Sequence, residues 1–320
     1  MSQTQSPIAI YYEHPDWFRL LFAELDRRGT NYIKLDASRY SYDVAAEEEN
    51  RYGLFFNRMS ASAYLRGHGN AMFFTRDYLA HLERSGSRVI NGHQAFSFEI
   101  SKAAQLSLLH SLGIPFPRSR VINQAEQTIS AAAELGFPLI IKPNIGGRGA
   151  GIVRLNSAAE LEQALATKLI DLGIDSTALV QEFIPTRGGH IHRVETLGGK
   201  FLYAMRVFTT GENFNLCPAE ICQIESVATE GAMCLVDGPK AGLKIEPYHP
   251  PPDVINTVER IVAGAKIDVG GVEYIIDERD GRLLFYDINA LSNFVAGAPR
   301  ILGFDPHERL VDYLEQRRDA

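Results

Sequence analysis

Short apolar runs separated by polar turns dominate the first hundred residues. Ile8-Ala9-Ile10-Tyr11-Tyr12 reads as a buried strand, and residues 17–25 carry apolar side chains at helical spacing until Gly29 stops the helix. Further strands are predicted at residues 32–35, 53–56 and 88–90, alternating with helical stretches. That order predicts a parallel sheet with helices packed on it, a first α/β domain over residues 1–95.

The pattern then changes. Ser101 can cap a helix through Ala103, Leu106, Leu109 and Leu112 that ends at Gly113, and Pro115-Phe116-Pro117 blocks its continuation. Asn123, with Glu126 three residues on, predicts the start of a helix closed by Gly136. Strand 139–142, a glycine-rich loop and strand 152–155 follow, and Ser157 with Glu160 forms a capping box for a helix to about residue 169. Residues 96–185 are therefore expected to form a helix-covered, partly antiparallel sheet. In residues 186–320, which follow the strand 178–183, two strands hinge at Gly198-Gly199, a helix spans 254–265, and a hairpin pairs 272–277 with 283–288. The predicted class is α/β: a parallel α/β domain followed by two α+β subdomains.

Composition narrows the function. With 320 residues, 45% hydrophobic and 22% charged, the chain is long enough for two or three packed units. A net charge of −7 without a basic run argues against a nucleic-acid partner. No run approaches the apolar length of a membrane span and no secretion signal is visible at the N-terminus, so a cytoplasmic protein is expected. Cys217, Cys222 and Cys234 lack CxxC or zinc-finger spacing and read as reduced thiols.

Two segments carry chemistry. Lys142 ends an apolar strand and precedes Gly146-Gly147-Arg148-Gly149-Ala150-Gly151. Glycines let backbone amides approach an anion closely, so the loop suits phosphate oxygens. It is not a Walker loop, because the lysine precedes the glycines. In the terminal hairpin, alternation puts Asp287 and Asn289 on one face. A three-residue loop Arg279-Asp280-Gly281 sets Glu273 across from Asp287, whereas a two-residue turn puts them on opposite faces. Two carboxylates and an amide oxygen are hard ligands suited to Mg²⁺, and burying them without a cation would cost on the order of a few kcal/mol.

The order Lys102, Gly113-Ile114-Pro115, Lys142 with its glycine loop, Gln181-Glu182-Phe183-Ile184, Arg193 and the closing Asp-x-Asn resembles the ATP-grasp superfamily over about residues 100–295. It looks most like the ligases that add glutamate to proteins or small molecules. The resemblance implies two subdomains that clasp ATP, with Lys102, Lys142, Gly147, Arg148, Gly149, Gly151 and Arg193 toward the nucleotide and its phosphates. Gln181, Glu182, Phe183 and Ile184 map onto the hinge that holds adenine, and Glu273, Asp287 and Asn289 onto the ligands of Mg²⁺, with Mn²⁺ as its alternative.

This sequence also departs from the family. His190 stands where an acidic ribose contact is expected, and the His190-x-His192 pair could also serve a transition metal. Phe214-Asn215-Leu216-Cys217 lacks the family's arginine, for which Arg206 is the catalytic substitute unless it is simply an exposed strand residue. Leu291-Ser292-Asn293-Phe294 also replaces the usual ending. The expected reaction joins a small-molecule carboxylate to an amine through an acyl phosphate, with Lys142 and Arg206 as catalytic groups and a homodimer as the default assembly. A kinase of the same fold and an inactive nucleotide-binding module are the alternatives.

Overall fold

The computed structural model describes residues 6–14, 16–45, 51–147, 149–208 and 244–320. The first sheet has the order β2-β1-β3-β4 and is parallel throughout, from β1 (Ile8–Tyr12), β2 (Tyr32–Asp36), β3 (Leu54–Arg58) and β4 (Val89–Ile90). Helix α1 (Arg19–Arg28) closes on Gly29 at φ 65°, a left-handed conformation that glycine adopts without strain. Alternation along β1 sends Ile8 and Ile10 toward Phe22 and Leu25 of α1, while Ala9 and Tyr11 pack with Tyr78 and Leu79 of α2 (Gly69–Arg84). Helix α3 (His93–Glu99) then leads out of this domain.

Helix α4 (Lys102–Ser111) starts where expected, its first turn capped by the Ser101 hydroxyl, which accepts from the Ala104 amide. A second, antiparallel sheet has the order β5-β8-β6-β7, from β5 (Ser119–Ile122), β6 (Leu139–Pro143), β7 (Val153–Leu155) and β8 (Ala178–Glu182). Helices α5 (Gln127–Leu135) and α6 (Ala158–Ala166) belong to the same unit. Strand β5 was not foreseen, since its middle residues Arg120 and Val121 are exposed. The expected cap at Asn123 is also absent. The Gln127 side chain accepts from the Asn123 and Gln124 amides instead, and α5 starts at Gln127.

The third sheet, order β11-β10-β9-β12-β13, is antiparallel and contains β9 (His190–Leu197), β10 (Lys200–Phe208), β11 (Ile245–Tyr248), β12 (Val269–Ile276) and β13 (Leu283–Asn289). Helix α7 (Pro252–Ala265) covers one face, packing Val254, Val258 and Val262 with Val194, Ala204 and Val272. After α8 (Ala298–Leu302), helix α9 (Pro306–Asp319) returns to the first domain. Its Leu310, Val311 and Leu314 join the Ile8 and Leu25 cluster, and Arg28 and Thr30 reach Asp312 and Glu315 at 2.5 and 2.7 Å.

Candidate active site

The terminal hairpin is built differently from the expectation, yet brings its acids together. Ile276 pairs with Leu283 and Tyr274 with Phe285, so four residues, Glu278 to Gly281, connect Asp277 to Arg282. Asp277 is fully buried and pins this longer turn, its carboxylate accepting from the Arg279 backbone and side chain at 2.7–3.2 Å. Uninterrupted, that register would set Glu273 against Tyr286 and turn Asp287 to the other face. A β-bulge between Glu273 and Tyr274 restores the pairing of Glu273 with Asp287 and of Gly271 with Asn289. The Tyr286 hydroxyl donates to Glu273 Oε2 at 2.7 Å.

Two lysines from separate elements meet this face. Lys102 Nζ lies 2.6 Å from Asp287 Oδ1. Lys142, at the end of β6, is buried and makes no ion pair among the described residues; burial and the charge of Lys102 push its pKa down to about 8. Burial would raise the Asp287 pKa, but the charges of Lys102 and Lys142 hold it below the usual carboxylate value. Glu273 is shifted up, because burial and the Asp287 charge outweigh Arg193. Arg193, directly across from Glu273 on β9, bridges Glu195 at 2.7 Å and Glu273 at 2.9 Å. It therefore engages one carboxylate of its own strand and one of the hairpin.

Asn144 sets the spacing of the two lysines. It follows Lys142 by two residues; its carbonyl accepts from the Lys102 amide at 3.2 Å, and its side-chain oxygen accepts from the Ala103 amide at 2.8 Å and the Ser101 hydroxyl at 3.3 Å. Its amide group donates to Asp175 at 2.6 Å. One buried side chain thus joins the start of α4 to the end of β6.

The predicted residues divide by sheet face. Met205 pairs with Arg193, and Ile191, Met205 and Ile275 lie on the Glu273 face beside Ile184 and Leu284, giving an apolar floor next to the end of β8. Arg206 pairs with His192 and projects to the opposite face, its guanidinium 4.5 Å over the Tyr248 ring. His190 lies on that face too, its ring 4.8 Å from His192, which stacks on Tyr274. Alternation along a strand therefore turns both Arg206, expected as a catalytic group, and His190, expected as a ribose contact, to the face opposite the acids. The Glu182 and Phe183 amides donate to the Arg118 and Pro138 carbonyls, and Gln181 donates to Ser119, so a base here would need its bonds from neighbouring positions. Gly149 and Gly151 hold φ 73°, and a methyl group at Gly147 would stand 3.0 Å from Ser62 Cβ, so the loop lies against the first domain. Arg148, the segment 214–217 and the three cysteines lie outside the described residues.

Residues 107–188 match the family model of the ATP-grasp domain. The chain carries an ATP-grasp domain. It is 29% identical to a probable alpha-L-glutamate ligase of Psychromonas ingrahamii over 55% of each chain, and 38% identical to D-alanine–D-alanine ligase of Pseudomonas fluorescens over 29% of this chain and 28% of that one. The chain thus aligns with about half or less of these curated relatives. The fold extends further: an ATP-grasp ligase, PsnB, solved with a phosphomimetic variant of a minimal precursor, Mg and ADP, superposes with TM-score 0.68 at 21% identity, covering 98% of this chain and 99% of that one. Among the described residues no helix is long and apolar enough to cross a membrane.

Within this ATP-grasp fold, the end of β13 is clamped by residues that the sequence does not single out. Gln105 on α4 donates to the Ile288 carbonyl at 2.8 Å and accepts from its amide at 3.1 Å. Glu99 accepts from the Ala290 and Leu291 amides at 2.6 and 3.1 Å, and Asn91 donates to the Ala290 carbonyl at 2.5 Å. Arg58 reaches the Ser292 carbonyl and the Asn293 side chain. These are ordinary polar residues in helices and strand ends; only their convergence on one segment reveals the role.

Proposed function

We propose that this chain is an ATP-dependent carboxylate-amine ligase that uses Mg²⁺ and forms an amide through an acyl phosphate. One observation supports it most: Lys142 is buried with no carboxylate partner among the described residues, beside Lys102 and facing an opposed acidic pair. A buried cation in that state awaits an anion, and a triphosphate supplies one.

The donor set fits Mg²⁺. Glu273, Asp287 and the Asn289 side chain offer two carboxylates and an amide on one sheet face, matching the preference of Mg²⁺ for one or two carboxylates with phosphate and water. Among the described residues no third acidic, histidine or cysteine side chain completes an all-protein cage. Bound there, the ion would neutralise phosphate charge. Lys102 and Arg193 keep the two carboxylates in place, and Tyr286 orients Glu273.

Lys142 and Lys102 would orient the terminal phosphoryl group toward the acid. A carboxylate oxygen of the acid attacks the γ-phosphorus, the bond to the β,γ-bridging oxygen breaks, and ADP departs. The amine lone pair then adds to the acyl carbon. Inorganic phosphate leaves with the electrons of the C–O bond, and the amine proton passes to solvent. The glycine loop, seated against Ser62, would exclude the water that otherwise hydrolyses the acyl phosphate. In this reading residues 1–95, 96–185 and 186–320 act as three units, each built on one of the three sheets, and the substrates are small molecules.

The test is ADP release measured against a matrix of carboxylic acids and amines, with mass spectrometry of the products. Amide formation requiring both substrates is expected. A stable phosphorylated product with no need for amine would identify a kinase instead.

A further inference from the structure

The carboxyl edge of the first sheet carries a polar cluster that the proposed reaction leaves unused. Open parallel sheets place ligands beyond the carboxyl ends of their strands. Glu13 follows β1 there, and the 3₁₀ turn Ala61–Arg66 follows β3. The Glu13 side chain is 2% exposed, and both of its oxygens are committed. Oε1 lies 3.0 Å from Arg66 Nε and 2.6 Å from His68 Nδ1, and Oε2 takes Arg66 Nη2 at 2.5 Å. Burial alone would raise the Glu13 pKa, but the bonds from Arg66 and His68 and their charges bring it below the usual value, so the carboxylate stays ionised and spent.

What remains open is the outer side of the Arg66 guanidinium and of the His68 ring. The Arg66 and His68 side chains keep 22% and 42% of their surface exposed. The Arg66 guanidinium sits 4.8 Å from the centre of the Trp17 ring, whose indole nitrogen is buried with no acceptor among the described residues. The cluster also touches the phosphate loop, since Arg66 Nη1 donates to the Ser62 hydroxyl at 3.3 Å and Ser62 is the residue that Gly147 abuts. A donor-rich wall with its one acid neutralised repels an ammonium group and favours an anion, and a guanidinium held in place by Glu13 is organised for carboxylate or phosphate.

We infer that Arg66, His68 and Trp17 form a recognition site for a second anionic group on the acid substrate, so that this chain prefers acids carrying a carboxylate or phosphate beyond the carboxylate that is activated. The inference rests on the ligase reading and specifies its substrate class. Glu13 acts as a positioning residue that holds the imidazole and the guanidinium, the latter reaching Ser62 beside the loop.

The experiment compares ADP release with succinate and glutarate, with their monoacid counterparts butyrate and valerate, and with 3-phosphonopropionate, in wild type, Arg66→Met and Arg66→Lys, each with an amine panel. Diacid preference of at least tenfold in kcat/KM is expected in wild type. Arg66→Met should remove it through KM while ATP affinity, read by calorimetry, stays unchanged; Arg66→Lys should restore part of it. Preference for the phosphonate over the diacids would assign the site to phosphate, and the reverse to carboxylate. If Arg66→Met fails to fold, His68→Gln with wild-type thermal stability is used, with a smaller loss of preference expected. Turnover that favours monoacids, or diacid preference untouched by Arg66→Met (or by His68→Gln where that variant is used), overturns the inference while leaving the ligase reading intact. ATP binding without ADP release for any acid fails that reading itself and the inference with it.

Discussion

Asn144 offers the sharpest test of how the two lysines are held, through the isosteric change Asn144→Asp. The side-chain oxygen that accepts from Ala103 and Ser101 is retained, so the cap on α4 survives. The amide that donates to Asp175 Oδ2 at 2.6 Å is replaced by a carboxylate oxygen, and the other oxygen of Asp175 is already buried without a partner among the described residues. The lost bond to a charged group costs about 1.5–3 kcal/mol. Two negative charges about 3 Å apart repel by about 5 kcal/mol at an effective dielectric constant of 20. The pair relieves this by sharing a proton, which raises its native pKa above the unfolded value near 4. The native state then binds more protons than the unfolded chain, so the variant loses stability as pH rises from about 4 through the raised pKa, and regains it below both. Urea denaturation of variant and wild type at pH 5 and pH 8 should show a stability gap that widens by at least about 1.4 kcal/mol, one pKa unit, at the higher pH. ATP affinity at pH 8 should fall as well, because the Lys102 amide bonds to the same residue. Equal gaps at both pH values, with unchanged ATP affinity, would refute the argument that Asn144 couples the lysines.

Asp287→Asn and Glu273→Gln should abolish Mg²⁺-dependent ADP release while leaving the circular dichroism spectrum intact; wild-type turnover in either would remove the hairpin from the metal site. Lys142→Ala should weaken ATP binding about tenfold to a hundredfold, the worth of one charge-assisted hydrogen bond, as read by calorimetry. Arg206→Met should change kcat/KM for ATP less than threefold, because its side chain projects to the face away from the acids. A loss of a hundredfold or more would show that this face takes part in the chemistry.

Much of the architecture was legible from local pattern. The strand and helix alternation before residue 95, the Ser101 cap, the stop at Gly29 and the hinge at Gly198-Gly199 each follow from a few adjacent residues, and each is present. The exposed strand β5 and the start of α5 were not, because the first lacks an apolar signature and the second is set by the Gln127 side chain folding back on Asn123 and Gln124. In the candidate site, Lys102, Lys142, Glu273, Asp287 and Asn289 lie near one another, and their roles toward nucleotide and metal are what we propose. Arg193 engages Glu195 and Glu273, and Arg206 and His190 face away.

The amino-acid order alone determined which residue types stand at strand ends, where glycines loosen the loop after Lys142, and that two acids and an amide share the last hairpin. Tertiary structure alone decided which side of the third sheet each side chain occupies. A strand's side chains alternate strictly, so one added residue reverses a face. The longer turn at Glu278 to Gly281 made one such shift and the bulge at Tyr286 undid it. Neither step is encoded by spacing within a strand, because both depend on bonds made across the turn and the sheet.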